Sequence, residues 1–122
     1  MKTPHRPYLS RPVVAAAIQA ARARGVSSVA TSRRGFGPAY LEFTDSELHR
    51  YGPAAYPGQT WAQRRDAFVA RHMAQVERRG EVLWDSRGRP SRRHLALAVW
   101  AYSPDPVQLR RWLRASGYLP RP

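Results

Sequence analysis

Between Thr60 and Gly80 the chain spells out a complete helix, start and stop included. Thr60-Trp61-Ala62-Gln63 has the spacing of a capping box, in which the threonine hydroxyl and the glutamine side chain each satisfy a backbone N–H at the helix start. Gly80 supplies the left-handed stop after Arg79. Within the run Trp61–Arg79, residues Trp61, Arg65, Phe68, Val69, His72, Met73 and Val76 share one broad face. Arg64, Arg71 and Arg78 recur every seven residues on or beside the opposite face, with Gln75 among them, and Arg65 and Arg79 widen the positive edge.

Ser10 and Pro12 open a helix over Val13–Arg24, which Gly25 ends. Val14, Ala17, Ile18 and Ala21 form its inner face. Residues 1–9, with Pro4 and Pro7, read as an extended basic, Pro-rich arm. Val26–Thr31 and Phe36–Phe43 flank Ser32-Arg33-Arg34-Gly35, and β-branched and aromatic residues around a glycine turn predict a β-hairpin, although Gly37-Pro38 disturbs its second strand. Thr44-Asp45-Ser46-Glu47 is another capping box and predicts a short helix over Asp45–Tyr51. Residues 52–59, GPAAYPGQ, are a loop. Val82-Leu83-Trp84 reads as an apolar anchor before the turn Asp85-Ser86-Arg87-Gly88. Ser91 caps a helix over Arg92–Tyr102. Asp105 and Pro106 start the last one, which runs to Ser116 and stops at Gly117, leaving Tyr118 and Leu119 to fold back. The expectation is α+β: a small β-hairpin packed on a mostly helical single domain, 10–119, with the arm 1–9 and a tail 120–122.

Lys and Arg number 21 against 8 Asp and Glu, a net charge of +13 on 122 residues. That excess points to a polyanionic partner, nucleic acid before an anionic membrane. Lys2 is the only lysine, so every other cation is an arginine. Bias in a GC-rich genome accounts for the choice of Arg over Lys but not for the shortage of acids. The absence of cysteine excludes disulfides, Cys-ligated zinc, iron–sulfur clusters and thiol catalysis. No apolar run is long enough to span a bilayer. The opening MKTPHRPYLSRP has no apolar core of a signal peptide, so the protein is expected to be cytoplasmic or virion-associated and not secreted.

Three basic groupings stand as candidate nucleic-acid contacts. The first is Arg64, Arg71 and Arg78 on the long helix, a row suited to tracking phosphates. The second is Arg33 and Arg34 in the glycine-flanked turn, which matches neither a Walker A loop nor GxGxxG. The third is Gln108, Arg110, Arg111 and Arg114 on the last helix. With the helix before it, joined through Ser103-Pro104-Asp105, this last helix resembles the recognition helix of a helix-turn-helix: Val107, Leu109, Trp112 and Leu113 would face inward, and Gln and Arg would face base edges. The usual turn glycine is missing. His5, His49, His72 and His94 are scattered, with no HxxxH or HExxH pair, no GxSxG and no carboxylate cluster, so no catalytic, metal or cofactor site is expected.

Phe36-Gly37, then Arg64-Arg65-x-x-Phe68-Val69-x-Arg71-His72, then Ser91-Arg92-x-x-Leu95 before a Trp-bearing apolar helix, resemble small basic proteins of unknown function from large DNA viruses and tailed phages. The resemblance covers about residues 26–102, with GPAAYPGQ as an insertion, and implies contact with nucleic acid or a place in a virion; it marks Arg71 and His72 without saying whether they are site or scaffold. The leading expectation is a non-enzymatic nucleic-acid-binding protein, with duplex DNA favoured. The alternative is a structural or interaction protein, such as a minor virion component docking through the N-terminal arm or exposed aromatics. A metal-dependent nuclease ranks third.

Overall fold

The computed structural model describes residues 6–120, and all of the secondary structure found there is helical apart from one isolated antiparallel bridge, Trp84 with Pro90. The expected arm and tail lie outside the described residues at 1–5 and 121–122. Six helices follow in order: α1 (Arg11–Ala23), α2 (Phe36–Glu42), α3 (Asp45–Leu48), α4 (Trp61–Arg79), α5 (Arg92–Val99) and α6 (Pro106–Ala115). No helix among them is long and apolar enough to cross a membrane.

The β-hairpin is not there, and the fold is helical rather than α+β. Its first half, from Val26 to Thr31, buries residues 26, 30 and 31 while leaving Val29 77% exposed, which is not the alternation of a strand. The segment winds into a turn instead, Thr31 N–H donating to the Ser27 carbonyl at 2.9 Å. Its second half is α2. Pro38 sits in the first turn of that helix, where its missing N–H costs nothing. The Gly37 N–H donates to the Ala30 carbonyl at 3.0 Å, so Gly37-Pro38 opens a helix rather than spoiling a strand. Gly35, ahead of it, is required by contact: a Cβ there would stand 2.3 Å from the carbonyl oxygens of Val29 and Ala30.

The layout centres on α1, whose Val13, Val14, Ala16, Ala17, Ile18, Ala20 and Ala21 are all buried. Small side chains let α5, α2 and α6 pack closely on it. The long helix α4 matches its predicted bounds, with both halves of the Thr60–Gln63 capping box made and Gly80 left-handed at φ +61°. The Thr44–Glu47 box is also complete, although α3 is shorter than predicted.

Helix α5 ends three residues earlier than its apolar pattern suggests. Trp100 caps it, and Ala101 takes the left-handed conformation, φ +61°. The Tyr102 N–H then reaches the Leu97 carbonyl at 3.0 Å and the Ala101 N–H reaches Ala98 at 2.9 Å, a Schellman closure built on alanine where glycine is usual. This lengthens the connector to α6, which now runs from Trp100 to Asp105, beyond the three to four residues of a helix-turn-helix turn.

Candidate nucleic-acid interface

Arg65 shows which arginines belong to the fold. Its side chain is completely buried. Nε donates to the Trp100 carbonyl (3.0 Å), Nη2 to the carbonyls of Ala101 (2.9 Å) and Pro7 (2.9 Å), and Nη1 to the Arg6 carbonyl (2.6 Å) and to Asp66 Oδ1 (3.0 Å). Its guanidinium carbon stands 3.9 Å from the centre of the Tyr8 ring. Arg65 therefore does not widen a positive edge; it ties the segment Arg6–Leu9 to α4 and to the end of α5.

His72 is also scaffold. Its ring stacks on Phe68 at 4.0 Å, and Nδ1 meets Arg93 Nη1 at 2.7 Å, so this nitrogen accepts. Burial, with the charge of Arg93 second, holds its pKa below the ordinary value. Arg93 forms a two-pronged pair with Glu81 (2.8 and 3.1 Å) and also reaches Gln75 (3.0 Å). His94, fully buried, presents Nδ1 to the Leu83 carbonyl (2.9 Å) and Nε2 to Ser103 Oγ (2.7 Å), a geometry that places the proton on Nδ1 and makes Nε2 the acceptor. Among the described residues no three His, Asp or Glu side chains gather as a metal site needs.

The acids are largely spent inside this scaffold. Asp45 pairs with Arg11, Asp66 with Arg65, Glu81 with Arg93 and Arg79, and Asp85 with Arg89. Among the described residues none of the candidate contacts Arg33, Arg34, Arg64, Arg71, Arg78, Arg110, Arg111 and Arg114 makes an ion pair. Arg33, Arg34, Arg71, Arg78 and Arg111 are exposed, and Arg64, Arg110 and Arg114 are half-buried.

The structure brings two of them together. A cleft of about 420 Å³ opens between the turn 25–30, the start of α2, the loop 53–56 and the first turns of α4. Arg34 and Arg64 both line it. Its deeper wall is an aromatic ladder: Phe68 stacks on Trp100 at 4.3 Å, and Trp100 stacks on Phe36 at 4.9 Å. Tyr56, half-exposed, also lines the cleft, with the Arg64 guanidinium carbon 3.6 Å from its ring centre. Arg64 Nη1 also donates to Gln59 Oε1 at 3.3 Å. A second recess, about 560 Å³, adjoins it and shares Arg34, Pro53 and Trp61; Arg33 and Glu42 line that one.

The other candidates lie apart from this cleft. Arg71 and Arg78 continue along α4 and are exposed. On α6, Leu109 and Leu113 are fully buried, Gln108 and Arg111 are exposed, and Arg110 and Arg114 are half-buried. Val107, expected to face inward, is 56% exposed. Sequence reasoning missed Tyr56, a lone aromatic in a Pro- and Gly-rich loop, and missed the ring edges of Phe68 and Trp100, which the helix pattern assigns to the core. No family model, curated protein or solved structure matches this chain.

Proposed function

We propose that this chain is a non-enzymatic nucleic-acid-binding protein. The observation that carries the reading is that Arg34 and Arg64, neither in an ion pair among the described residues, line one aromatic-walled cleft in a chain of net charge +13. Arginine forks suit phosphate oxygens, and an arginine plane among aromatic side chains suits bases. The exposed Arg71 and Arg78 on α4, with Gln108 and Arg111 on α6, extend the contact along duplex DNA through phosphates. The resemblance of residues 26–102 to small basic viral and phage proteins belongs to the same reading, and with it a cytoplasmic or virion-associated place of action.

The test is affinity for a labelled duplex as a function of salt. Six phosphate contacts lower affinity on the order of 10³-fold between about 50 and 200 mM salt, because each neutralised phosphate releases counterions. A flat salt response, or no binding at the lower salt, removes the reading.

A further inference from the structure

The cleft is narrower in chemistry than a basic patch, and its walls point to one kind of occupant. Resting on the nucleic-acid reading above, we infer that it holds a single unpaired nucleobase of a single strand, stacked on the Arg64 guanidinium, with the adjoining phosphate on Arg34.

Three features support this. The first is the seat of Arg64. With its central carbon 3.6 Å from the Tyr56 ring centre, the planar guanidinium lies on the ring, and one edge is held by Gln59. Arg64 and Tyr56 both line the cleft, so a flat ring entering it meets this supported pair. Arginine planes and aromatic rings are the usual platforms for splayed-out bases.

The second feature is the ladder. Phe68 has a ring on each face, His72 at 4.0 Å and Trp100 at 4.3 Å, so it can offer the cleft only its edge. The edge of an aromatic ring is the positive part of its quadrupole. A floor of such edges accepts the carbonyl and ring-nitrogen acceptors of a base, while the flat contact comes from the Arg64 side.

The third is size and charge. A volume of about 420 Å³ lies at the small-ligand end of binding pockets and suits one nucleotide, not a duplex. Arg34 is exposed and makes no ion pair among the described residues, and the turn that carries it borders the adjoining recess through which the strand would continue.

The experiment compares a short single-stranded oligonucleotide with a duplex of the same sequence, at one salt concentration, for the full chain and two variants. Arg64→Lys keeps the charge and removes the stacking plane; Tyr56→Ala removes the support of that plane from an exposed loop and leaves the core intact. Expected is a loss of about tenfold in single-strand affinity in each variant, with a loss on the duplex several times smaller. Equal losses on both nucleic acids, or no loss on the single strand, overturn the base seat and leave general nucleic-acid binding standing. Absence of binding to either nucleic acid at low salt overturns the function itself and the base seat with it.

Discussion

Replacing Arg65 by methionine keeps the volume of the side chain and deletes every polar contact it makes. Five hydrogen bonds go, but their loss is unequal. The carbonyls of Arg6 and Pro7 lie on a segment that water reaches. The Ala101 carbonyl keeps its second donor, the Leu9 N–H at 2.8 Å. The Trp100 carbonyl has no such replacement and is left buried. Asp66, 23% exposed, loses a cation and regains water on one side. Removing one member of a buried charged network costs about 3–5 kcal/mol; the partial rehydration here places the methionine variant near 4 kcal/mol. Lysine, a single ammonium among four carbonyls arranged for a planar fork, recovers about half of that. Against a domain stability of about 5–15 kcal/mol, a loss of 4 is large. For a chain of this size it lowers the thermal midpoint by roughly 15 °C, read by circular dichroism at 222 nm. Nucleic-acid affinity measured well below the new midpoint should equal that of the parent, because the guanidinium is sealed from solvent. A methionine variant within about 1 kcal/mol of the parent would refute the reasoning, since the network would then be neutral to its hub.

Gly35→Ala puts a methyl carbon 2.3 Å from two backbone oxygens that cannot step aside singly, so the turn before α2 must move; the midpoint of urea unfolding should drop by roughly 2–4 kcal/mol equivalents, and an unchanged midpoint would show that the turn is pliable. On the acid side, His72 and His94 are both held below 6.5, chiefly by burial. The unfolded chain takes up protons near 6.5 and the folded chain does not, so stability is full above that pH and declines as pH falls below it, ahead of the carboxylates. His72→Gln should flatten this decline as pH falls below about 6.5, in urea melts followed at a series of pH values.

Helix starts and stops were legible because they are local. The Thr60 and Thr44 boxes and the Gly80 stop depend on residues at most a few positions apart, and each formed as read. The hairpin failed because strand and helix compete for the same apolar residues over short runs, and what decided between them was distant: Ile18 of α1 stands so close to Gly37 that a Cβ there would meet its Cδ1 at 2.8 Å. The end of α5 was hidden for a related reason, since nothing in the sequence around Ala101 announces a left-handed residue. Charge counting found the arginines without sorting them. Arg64 and Arg65 are neighbours on one helix, yet the 100° step between them sends one to the cleft and the other to the core. Half of the proposed site, Arg34 and Arg64, was thus named in advance, and the aromatic half came only from the way α2, α4 and α5 converge.

The bond between the Leu9 N–H and the Ala101 carbonyl, and those from Arg65 to Arg6 and Pro7, have a consequence for the order of events during synthesis. Residues 6–9 leave the ribosome before α4 and α5 do, but the groove that receives them has one wall on α4 and another at the close of α5. Until Ala101 has emerged, Leu9 has no carbonyl to bind and the Arg65 guanidinium remains hydrated. The earliest part of the described chain is therefore among the last to settle, and its docking seals water away from Arg65. A stalled nascent chain that has exposed α1 through α4 would carry this segment loose, and protease sensitivity between Arg6 and Ser10 would report whether the final third of the protein has folded.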